Sequence, residues 1–153
     1  MLGLVASDKE AQILSLKTTI SKINLYSKWY LDRIFEEDKD KISVSLQSHK
    51  LSAKGDLKPK INTRINYKGC QYDSYDDFCG GESQKCELAF LFGVNDMLGS
   101  KIVLLDECVN NLDAENNMKI LYTLKKITEQ GNKLTIAISH EAVRGVFESV
   151  IDF

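Results

Sequence analysis

The stretch 102-IVLLDECVNNLDAE-115 joins four apolar residues to two acids, and a polar turn follows them. An apolar run of this length predicts a strand over residues 101–106 that is buried on both faces of a parallel sheet. Ligands of open α/β sheets bind at the carboxyl ends of the strands. Asp106 and Glu107 stand at that end, where one carboxylate can hold Mg²⁺ and a second can orient a water for attack on a phosphoryl group. The alternative is a strand that ends in solvated acids.

Helices alternate with apolar strands on both sides of this stretch. The pattern predicts two helices and two further strands, over residues 81–98, 113–130, 133–138 and 149–153, with a short helix from about residue 141. Asp113 is placed to cap the second helix. Such alternation indicates a parallel sheet with crossover connections, so the predicted fold class is α/β.

The amino-terminal part of the chain has the spacing of a helix. Apolar or small residues recur every three or four positions: Ile13, Leu16, Ile20, Ile23, Ser27, Tyr30 and Ile34. This heptad spacing predicts a coiled-coil helix over residues 1–36, leading into one domain over residues 37–153. The alternative is an amphipathic helix that packs on the core of the domain itself. In either case the aromatic residues Tyr26, Trp29 and Tyr30 are expected to serve packing.

Residues 42–72 alternate with a period of two, which predicts an antiparallel hairpin or small sheet around a polar loop at residues 48–60. Six basic residues fall here, opposed only by Asp56: Lys50, Lys54, Lys58, Lys60, Arg64 and Lys68. On strand geometry residues 58, 60, 64 and 68 share one face, which is suited to the phosphates of double-stranded DNA. A solvated loop of lysines is the alternative.

The stretch 78-FCGGESQK-85 has two glycines at the start of a predicted helix. Glycines let a backbone approach a ligand closely, and a helix amino terminus presents free N–H groups. The pattern is typical of an anion site, and a plain glycine-rich helix start is the alternative. His140 follows the strand over residues 133–138, at the same sheet edge as the two acids, although a lone histidine is more often structural.

The order of these elements resembles the ABC-type ATPases, in particular the branch of structural-maintenance-of-chromosomes (SMC) proteins and coiled-coil ATPases of DNA double-strand-break repair. FCGGES stands where that branch has its LSGGE-like signature, IVLLDE resembles the Walker B strand, NNLDAE the D-loop, and His140 the switch histidine. The resemblance covers roughly residues 20–153 and is strongest over residues 77–141. It implies the C-terminal lobe of an ATPase head, with the leading helix as the end of a coiled coil.

The resemblance also implies roles for individual residues. Asp106 would hold the Mg²⁺ of bound ATP, Glu107 would polarise the attacking water, and His140 would contact the γ-phosphate. Asp113 would help to couple two nucleotide sites. Four residues would reach across a dimer interface to the γ-phosphate held by a second head: Cys79, Gly80, Gly81 and Glu82.

Three departures from the family pattern limit this reading. Phe78 replaces the usual leucine, which is only a packing change. Cys79 stands where the family has serine, and a thiol is a weak hydrogen-bond donor. The P-loop, G-x-x-x-x-G-K-[ST], which cradles the α- and β-phosphates, does not occur in the sequence. The chain is therefore expected to be inactive until a Walker A-bearing lobe, from the same or a separate chain, completes it. Three explanations of the missing loop stay open. The chain is a fragment of a longer protein, one half of a split ATPase, or a relic that kept the fold and took a structural role.

The expected function is ATP hydrolysis that drives DNA clamping in repair or chromosome organisation, with a nuclease partner possible. The alternative is a non-enzymatic structural or interaction protein on the same fold. Glu82, where transporter ATPases usually have glutamine, disfavours a membrane-transport role. A net charge of −2 excludes a surface built throughout for nucleic acid. The cysteines form no C-x-x-C pair and no apolar run spans a membrane, so we expect an intracellular protein, cytoplasmic or nuclear, without zinc.

Overall fold

A computed structural model describes residues 2–38, 41–51, 57–74, 77–78, 80–108, 112–139 and 145–151. Within these ranges the elements are α1 (Leu2–Ile34), β1 (Ile42–Leu51), β2 (Leu57–Tyr67), β3 (Cys70–Tyr72), α2 (Gly80–Met97), β4 (Ile102–Asp106), α3 (Ala114–Gly131) and β5 (Leu134–Ile138). The strands form an antiparallel sheet in the order β1–β2–β3 and a parallel sheet of β4 and β5. The predicted α/β class is confirmed.

The carboxyl-terminal half of α1 packs on the domain's own core. Ile20, Ser27, Tyr30 and Ile34, which share the predicted heptad spacing, are buried, and α1 lies against α2 and β1. Ile13, earlier in the same pattern, is exposed. The packed-helix alternative therefore describes this half of α1, and the proposed division at residue 36 stays a prediction.

A close helix crossing and a side-chain amide hold α1 in place. A Cβ atom on Gly93 of α2 would lie 2.3 Å from Ser27 Oγ and 2.7 Å from the Ser27 backbone nitrogen. Asn24, almost one turn earlier, donates to the Leu46 carbonyl at 2.9 Å and accepts from the Leu46 N–H at 2.8 Å. These contacts fix the helix against α2 on one side and against the antiparallel sheet on another.

A largely buried polar network joins α1, α2 and the start of β5. Lys133 Nζ lies 2.7 Å from Asp96 Oδ1, and it also donates to the Ser100 carbonyl at 3.0 Å and to Asn95. Tyr30 donates to the second carboxylate oxygen of Asp96. Burial and the adjacent Asp96 raise the pKa of Tyr30 above its usual value. A buried charge is tolerated only when its hydrogen bonds are satisfied, so the ammonium group of Lys133 requires these acceptors in place.

The antiparallel sheet is more extensive than predicted. β1 pairs with β2 as far as Leu51 and Leu57, so the predicted polar loop over residues 48–60 is wrong at both ends. Pro59 lies inside β2 next to a register shift in the pairing. Strands accept proline at such irregularities because one ladder hydrogen bond is already missing there, and pairing overrides the turn preference of Pro59.

The parallel sheet is covered on one face only. Val103 and Leu105 of β4 are buried in one apolar cluster with side chains of α2 and α3. The apolar side chains of the other face are 48–69% exposed: Ile102, Leu104, Leu134, Ile136 and Ile138. The prediction that both faces are buried is wrong for this chain, because its described elements cover only one side of the sheet.

The carboxyl-terminal segment differs from its prediction. Residues 149–151 have no strand pairing, and Val150 and Ile151 are exposed. The predicted last strand is therefore wrong over these residues, since no described strand lies beside them. The predicted short helix from residue 141 falls largely outside the described residues, and residues 145–146 form a turn.

Replacing Gly93 by alanine should lower the free energy of unfolding by about 1–3 kcal/mol, because the added methyl overlaps Ser27 side-chain and backbone atoms. Urea unfolding followed by circular dichroism measures the change. Ser27→Ala is the matched control: it keeps the residue small and removes a buried hydroxyl that has no hydrogen-bond partner among the described residues. That variant should be at least as stable as the parent, and a loss equal to that of Gly93→Ala would contradict the packing described.

Candidate functional site

The two acids lie at the carboxyl edge of the parallel sheet. Asp106 is the last residue of β4 and pairs with Ile138, and Glu107 follows it; both acids are exposed. The Glu107 N–H donates to the Ile138 carbonyl at 2.9 Å, and its φ of 49° is in the left-handed region. A non-glycine residue there costs about 1–3 kcal/mol, and such residues concentrate at functional sites. The same left-handed backbone occurs in the turn at Lys68 and at Asn132 after α3, so Glu107 is a candidate functional residue by its position at the strand end.

The glycine pair opens α2, with different surroundings for each glycine. A Cβ atom on Gly80 would meet none of the described atoms outside its own helix turn within 4 Å. A Cβ atom on Gly81 would lie 3.0 Å from Leu112 Cδ2. Glu82, also in the first turn, is partly exposed. The structure thus places Gly81 against Leu112, which lies in the segment between the two acids and α3.

Asp113 is the N-cap of α3, as predicted from the sequence. Its Oδ1 accepts from the Asn116 backbone N–H at 2.9 Å, and its Oδ2 accepts from Asn116 Nδ2 at 2.7 Å. These hydrogen bonds hold the pKa of Asp113 below its usual value, and the positive charge of Lys85 on α2 contributes to the same shift. The role in coupling two sites that the resemblance implies stays a prediction.

Cys79 and His140 lie outside the described residues. Ser139, immediately before His140, is exposed and follows β5 at the edge where Asp106 ends β4. The carboxyl end of β5, up to Ser139, therefore lies at the same sheet edge as Asp106 and Glu107, as the sequence predicted. We call this edge the carboxylate edge.

The two nearby thiols that are described are not poised for reaction. Burial raises the pKa of Cys86 in α2 to about 12 and also raises the pKa of Cys108, next to Glu107. The reactive form of cysteine is the thiolate, which a raised pKa disfavours. Cys86 and Cys108 are therefore not candidates for a reactive thiolate.

The carboxylate edge fits a metal ion that arrives with a nucleotide. Among the described side chains, no three His, Cys, Asp or Glu residues converge on a common point. Mg²⁺ bound with a nucleotide typically takes one or two protein carboxylates, with phosphate oxygens and waters supplying the rest. The exposed carboxylate of Asp106 is compatible with such a site, and its role as a Mg²⁺ ligand stays a prediction.

The predicted basic stripe is wrong at Lys68. This residue lies in the turn after β2 with a φ of 50°, and its ammonium group is 2.8 Å from Asp38 Oδ2. The turn takes Lys68 out of the strand alternation, and Asp38 pairs with its charge. Arg64 is exposed on β2. The side chains of Lys50, Lys58 and Lys60 and the whole of Lys54 are not described.

Sequence reasoning passed over Leu112 and Lys85. Leu112 packs on Gly81, and Lys85 is close enough to Asp113 to affect its pKa. One signal was available for Leu112, since a leucine inside the polar turn NNLDAE needs an apolar surface to cover it. A lysine on a helix, by contrast, gives no sign of the partner it faces.

No family model matches the chain. The chain is similar to two uncharacterized viral proteins: it is 32% identical over 145 residues to protein 094L of Invertebrate iridescent virus 3, and 30% identical over 152 residues to protein 050L of Invertebrate iridescent virus 6. Each similarity covers 93% of this chain. The chain spans only 16% and 14% of the length of those proteins.

A third similarity is to the methionine import ATP-binding protein MetN 1 of Bacillus licheniformis. It extends over 91 residues at 30% identity, which is 58% of this chain and 26% of that protein.

Among solved structures, the chain is similar to SMC ATPase heads. The Smc head of Pyrococcus furiosus with an extended coiled coil, bound to the C-terminal domain of ScpA, superposes with a TM-score of 0.67 at 15% identity, over 95% of this chain and 34% of that one. An SMC ATPase studied for ATP-driven dimerization and DNA-stimulated activation gives 0.63 at 17% identity, over 88% of this chain and 74% of that one. The chain therefore has the fold of part of an ABC-type ATPase head of the SMC kind.

None of the helices in the described ranges is both long enough and apolar enough to cross a lipid bilayer.

Gly81→Ala should displace Leu112 and the turn before α3, because the new methyl meets Leu112 Cδ2 at 3.0 Å. Hydrogen exchange of the amides of residues 112–117 should then be faster than in the parent chain. Gly80→Ala is the matched control, since its methyl enters open space. Equal exchange in both variants would mean that Gly81 does not support the turn.

Asp113→Ala should lower the urea midpoint of unfolding at neutral pH, because it removes the N-cap of α3. Asp113→Ser, which keeps an acceptor oxygen, should recover most of the loss. The folded-state pKa of Asp113 is depressed, so its contribution is complete well above the unfolded value of about 3.9 and is lost as the pH falls below it. Urea unfolding curves measured from pH 7 down to acidic pH should show the midpoints of the parent and the alanine variant converging. A difference between the two midpoints that stays constant with pH would contradict this role.

Proposed function

We propose that this chain is the C-terminal lobe of an ATPase head, and that it binds and hydrolyses ATP with Mg²⁺ only when a lobe carrying a P-loop completes it. The observation that carries the proposal is the half-covered parallel sheet. One edge of that sheet ends in Asp106 and Glu107, and one of its apolar faces is open.

The open face supports the requirement for a second lobe. Parallel sheets are almost always covered on both faces, and each Å² of apolar surface removed from water stabilises by about 25 cal/mol. The P. furiosus head chain is about three times as long as the part that this chain matches, since the match covers 34% of it. In this proposal, a second lobe of the same head covers the open face of the parallel sheet.

The two acids take separate roles in this proposal. Asp106 would hold Mg²⁺, which neutralises charge on the phosphates when bound. Glu107 would accept a hydrogen bond from a water at the sheet edge and take its proton as that water attacks the γ-phosphate. Its left-handed backbone sets it apart from the strand that ends at Asp106. His140 would contact the γ-phosphate from the end of β5.

The glycine pair acts on the nucleotide of a second head in this proposal. An 18-residue helix begins at Gly80, so the first N–H groups and the positive end of the helix dipole are available to an anion. Gly80 and Gly81 would allow close approach, with Cys79 and Glu82 beside them. Asp113 would contribute by holding its turn in place, because both of its carboxylate oxygens already accept from Asn116.

The cellular role we propose is DNA clamping in repair or chromosome organisation, inside the cell. Its support is the similarity to an SMC ATPase described by ATP-driven dimerization and DNA-stimulated activation, and to SMC heads bound to ScpA domains. The partners proposed are a second head, double-stranded DNA, and a nuclease or a ScpA-like protein.

Native mass spectrometry of the chain purified from its source tests the requirement for a partner. A stoichiometric species carrying G-x-x-x-x-G-K-[ST], on the same or a separate polypeptide, is the expected result. If the purified chain is alone and retains no nucleotide, the result would count against the proposal. It would favour a structural protein on this fold.

In the reconstituted complex, Glu107→Gln should lower the rate of ATP turnover at least about 100-fold, because the amide cannot take a proton from water. The same change should lengthen the lifetime of the ATP-bound dimer. Steady-state phosphate release and size-exclusion chromatography with ATP measure the two effects. Glu115→Gln is the matched control, since Glu115 is an exposed helix residue that pairs with Lys119. Unchanged turnover in Glu107→Gln, or equal losses in both variants, would overturn the catalytic assignment.

A further inference from the structure

Phe78, two residues before Gly80, packs against two tyrosines of the antiparallel sheet. It is 6% exposed, and its ring centroid lies 5.3 Å from that of Tyr67 and 5.3 Å from that of Tyr72. The ring planes cross at 86° for Tyr67 and at 53° for Tyr72. Such edge-on and tilted arrangements are favoured because the positive edge of one ring meets the negative face of another. The leucine that the family pattern has at this position cannot make these ring contacts, so the phenylalanine does more than fill space.

The backbone of Tyr67 is fixed by strands on both sides. Tyr67 ends β2, where it pairs with the start of β1 and with Cys70 of β3. Only Lys68 and Gly69 separate it from Cys70, and their φ values of 50° and 86° are those of a two-residue type I′ hairpin turn. The Lys68 N–H also donates to the Lys41 carbonyl at 2.9 Å. A hydrogen-bonded hairpin therefore sets the position of the Tyr67 Cα atom.

An ionic cluster fixes the Tyr67 side chain. Its hydroxyl donates to Asp38 Oδ2 at 3.0 Å, and Asp38 also pairs with Lys41 at 3.0 Å and with Lys68 at 2.8 Å. The Lys68 ammonium group lies 4.6 Å from the centroid of the Tyr67 ring. The hydrogen bonds from Lys68 and Lys41 hold the pKa of Asp38 well below its usual value, so the acceptor of the tyrosine is charged at neutral pH. Hydrogen bonds to a charged acceptor are stronger than neutral ones.

The row of rings continues to the end of α1. Phe35, directly after α1, is 5% exposed, and its ring centroid lies 6.1 Å from that of Tyr67, with planes at 62°. The ammonium group of Lys85, in the second turn of α2, lies 5.6 Å from the centroid of the Phe35 ring. Tyr67 is thus the central member of a row that joins Phe35 to Phe78. Removing its ring removes contacts on both sides.

Glycine cannot hold its own place by side-chain packing. At Gly80 an added Cβ atom would meet none of the described atoms outside its own helix turn within 4 Å, and at Gly81 it would lie 3.0 Å from Leu112. Phe78 is the nearest described residue before the pair, and its side chain is buried. The place of the glycine pair therefore depends on what holds Phe78. Small displacements matter in a reacting site, where about 1 Å can lower a rate by about 100-fold.

We propose that Tyr67 is a positioning residue for the glycine pair. Its ring, fixed by Asp38, holds Phe78 and thereby sets the distance between the start of α2 and the γ-phosphate bound by a second head. The proposal rests on the function proposed above, and it adds the antiparallel sheet to the parts of the chain on which that function depends. Because the contact is made across the dimer interface, Tyr67 should influence turnover and dimerization but not the binding of ADP.

The reconstituted complex tests this role through the difference between ATP and ADP. Tyr67→Leu should lower the turnover number for ATP by about tenfold or more and weaken ATP-driven dimerization. Tyr67→Phe, which keeps the ring and loses the bond to Asp38, should cause a smaller loss. The affinity for ADP, which has no γ-phosphate, should equal that of the parent. Phosphate release, size-exclusion chromatography with ATP and titration with a fluorescent ADP measure the three effects.

Tyr30→Phe is the matched control for Tyr67→Phe. Tyr30 also donates its hydroxyl to a carboxylate, that of Asp96, but it does so near the other end of α2, where its ring packs on Phe92. This variant should keep the turnover number of the parent. Equal losses in the two phenylalanine variants would overturn the proposal. So would parental turnover in Tyr67→Leu, or a loss of ADP affinity in either Tyr67 variant.

Hydrogen exchange in the whole 153-residue chain separates this role from the proposed function. Tyr67→Leu should speed the exchange of the amides of residues 80–86 more than that of residues 118–127 in α3, because a loosened Phe78 acts first on the segment that follows it. Equal acceleration of both segments would mean a general loss of stability and would overturn the proposal. If the parent complex does not turn over ATP, the function proposed above fails, and the exchange rates alone decide whether Tyr67 holds the start of α2.

Discussion

The half-covered parallel sheet is the constraint on which the other features of the molecule depend. β4 and β5 present one apolar face to α2 and α3 and leave the other in water. The same pairing aligns the two strand ends, so Asp106 stands beside Ile138 and the Glu107 N–H completes the ladder. In the function that we propose, the open apolar face and the acidic strand end are two parts of one incomplete nucleotide site. The proposed chemistry and the proposed need for a partner would then have one origin.

Helix α2 connects the candidate site to the rest of the lobe. At its start, Gly81 lies close to the Leu112 side chain, in the segment between the acids and α3. At Gly93 the helix crosses α1 at Ser27, and near its end Asp96 binds both Tyr30 and Lys133. The helix is 18 residues long, about 27 Å. The same helix thus contacts the segment after the acids at one end, and α1 and Lys133, the residue before β5, towards the other.

Aromatic side chains link the antiparallel sheet to the start of α2. Phe78, two residues before Gly80, packs on Tyr67 and Tyr72. A hydrogen bond to Asp38 holds the Tyr67 ring, and two lysines hold Asp38 in turn. An ionic cluster thus orders an aromatic contact, because tyrosine carries a polar group and an apolar ring in one side chain.

Local patterns alone predicted much of this protein. The bounds of α2 and α3 agree with the predictions to within one residue, and Asp113 is the cap, because helical periodicity and capping depend on neighbouring residues. The order of the glycine pair, the acids and the turn also predicted the ABC-type fold. Tertiary structure alone decided that Ser27 is buried against Gly93, that Gly81 receives Leu112, and that Lys68 turns away to pair with Asp38. It also decided that β4 is open on one face. These outcomes depend on which element packs against a given residue. The spacing of residues along the chain does not specify that neighbour, because the two partners are far apart in sequence.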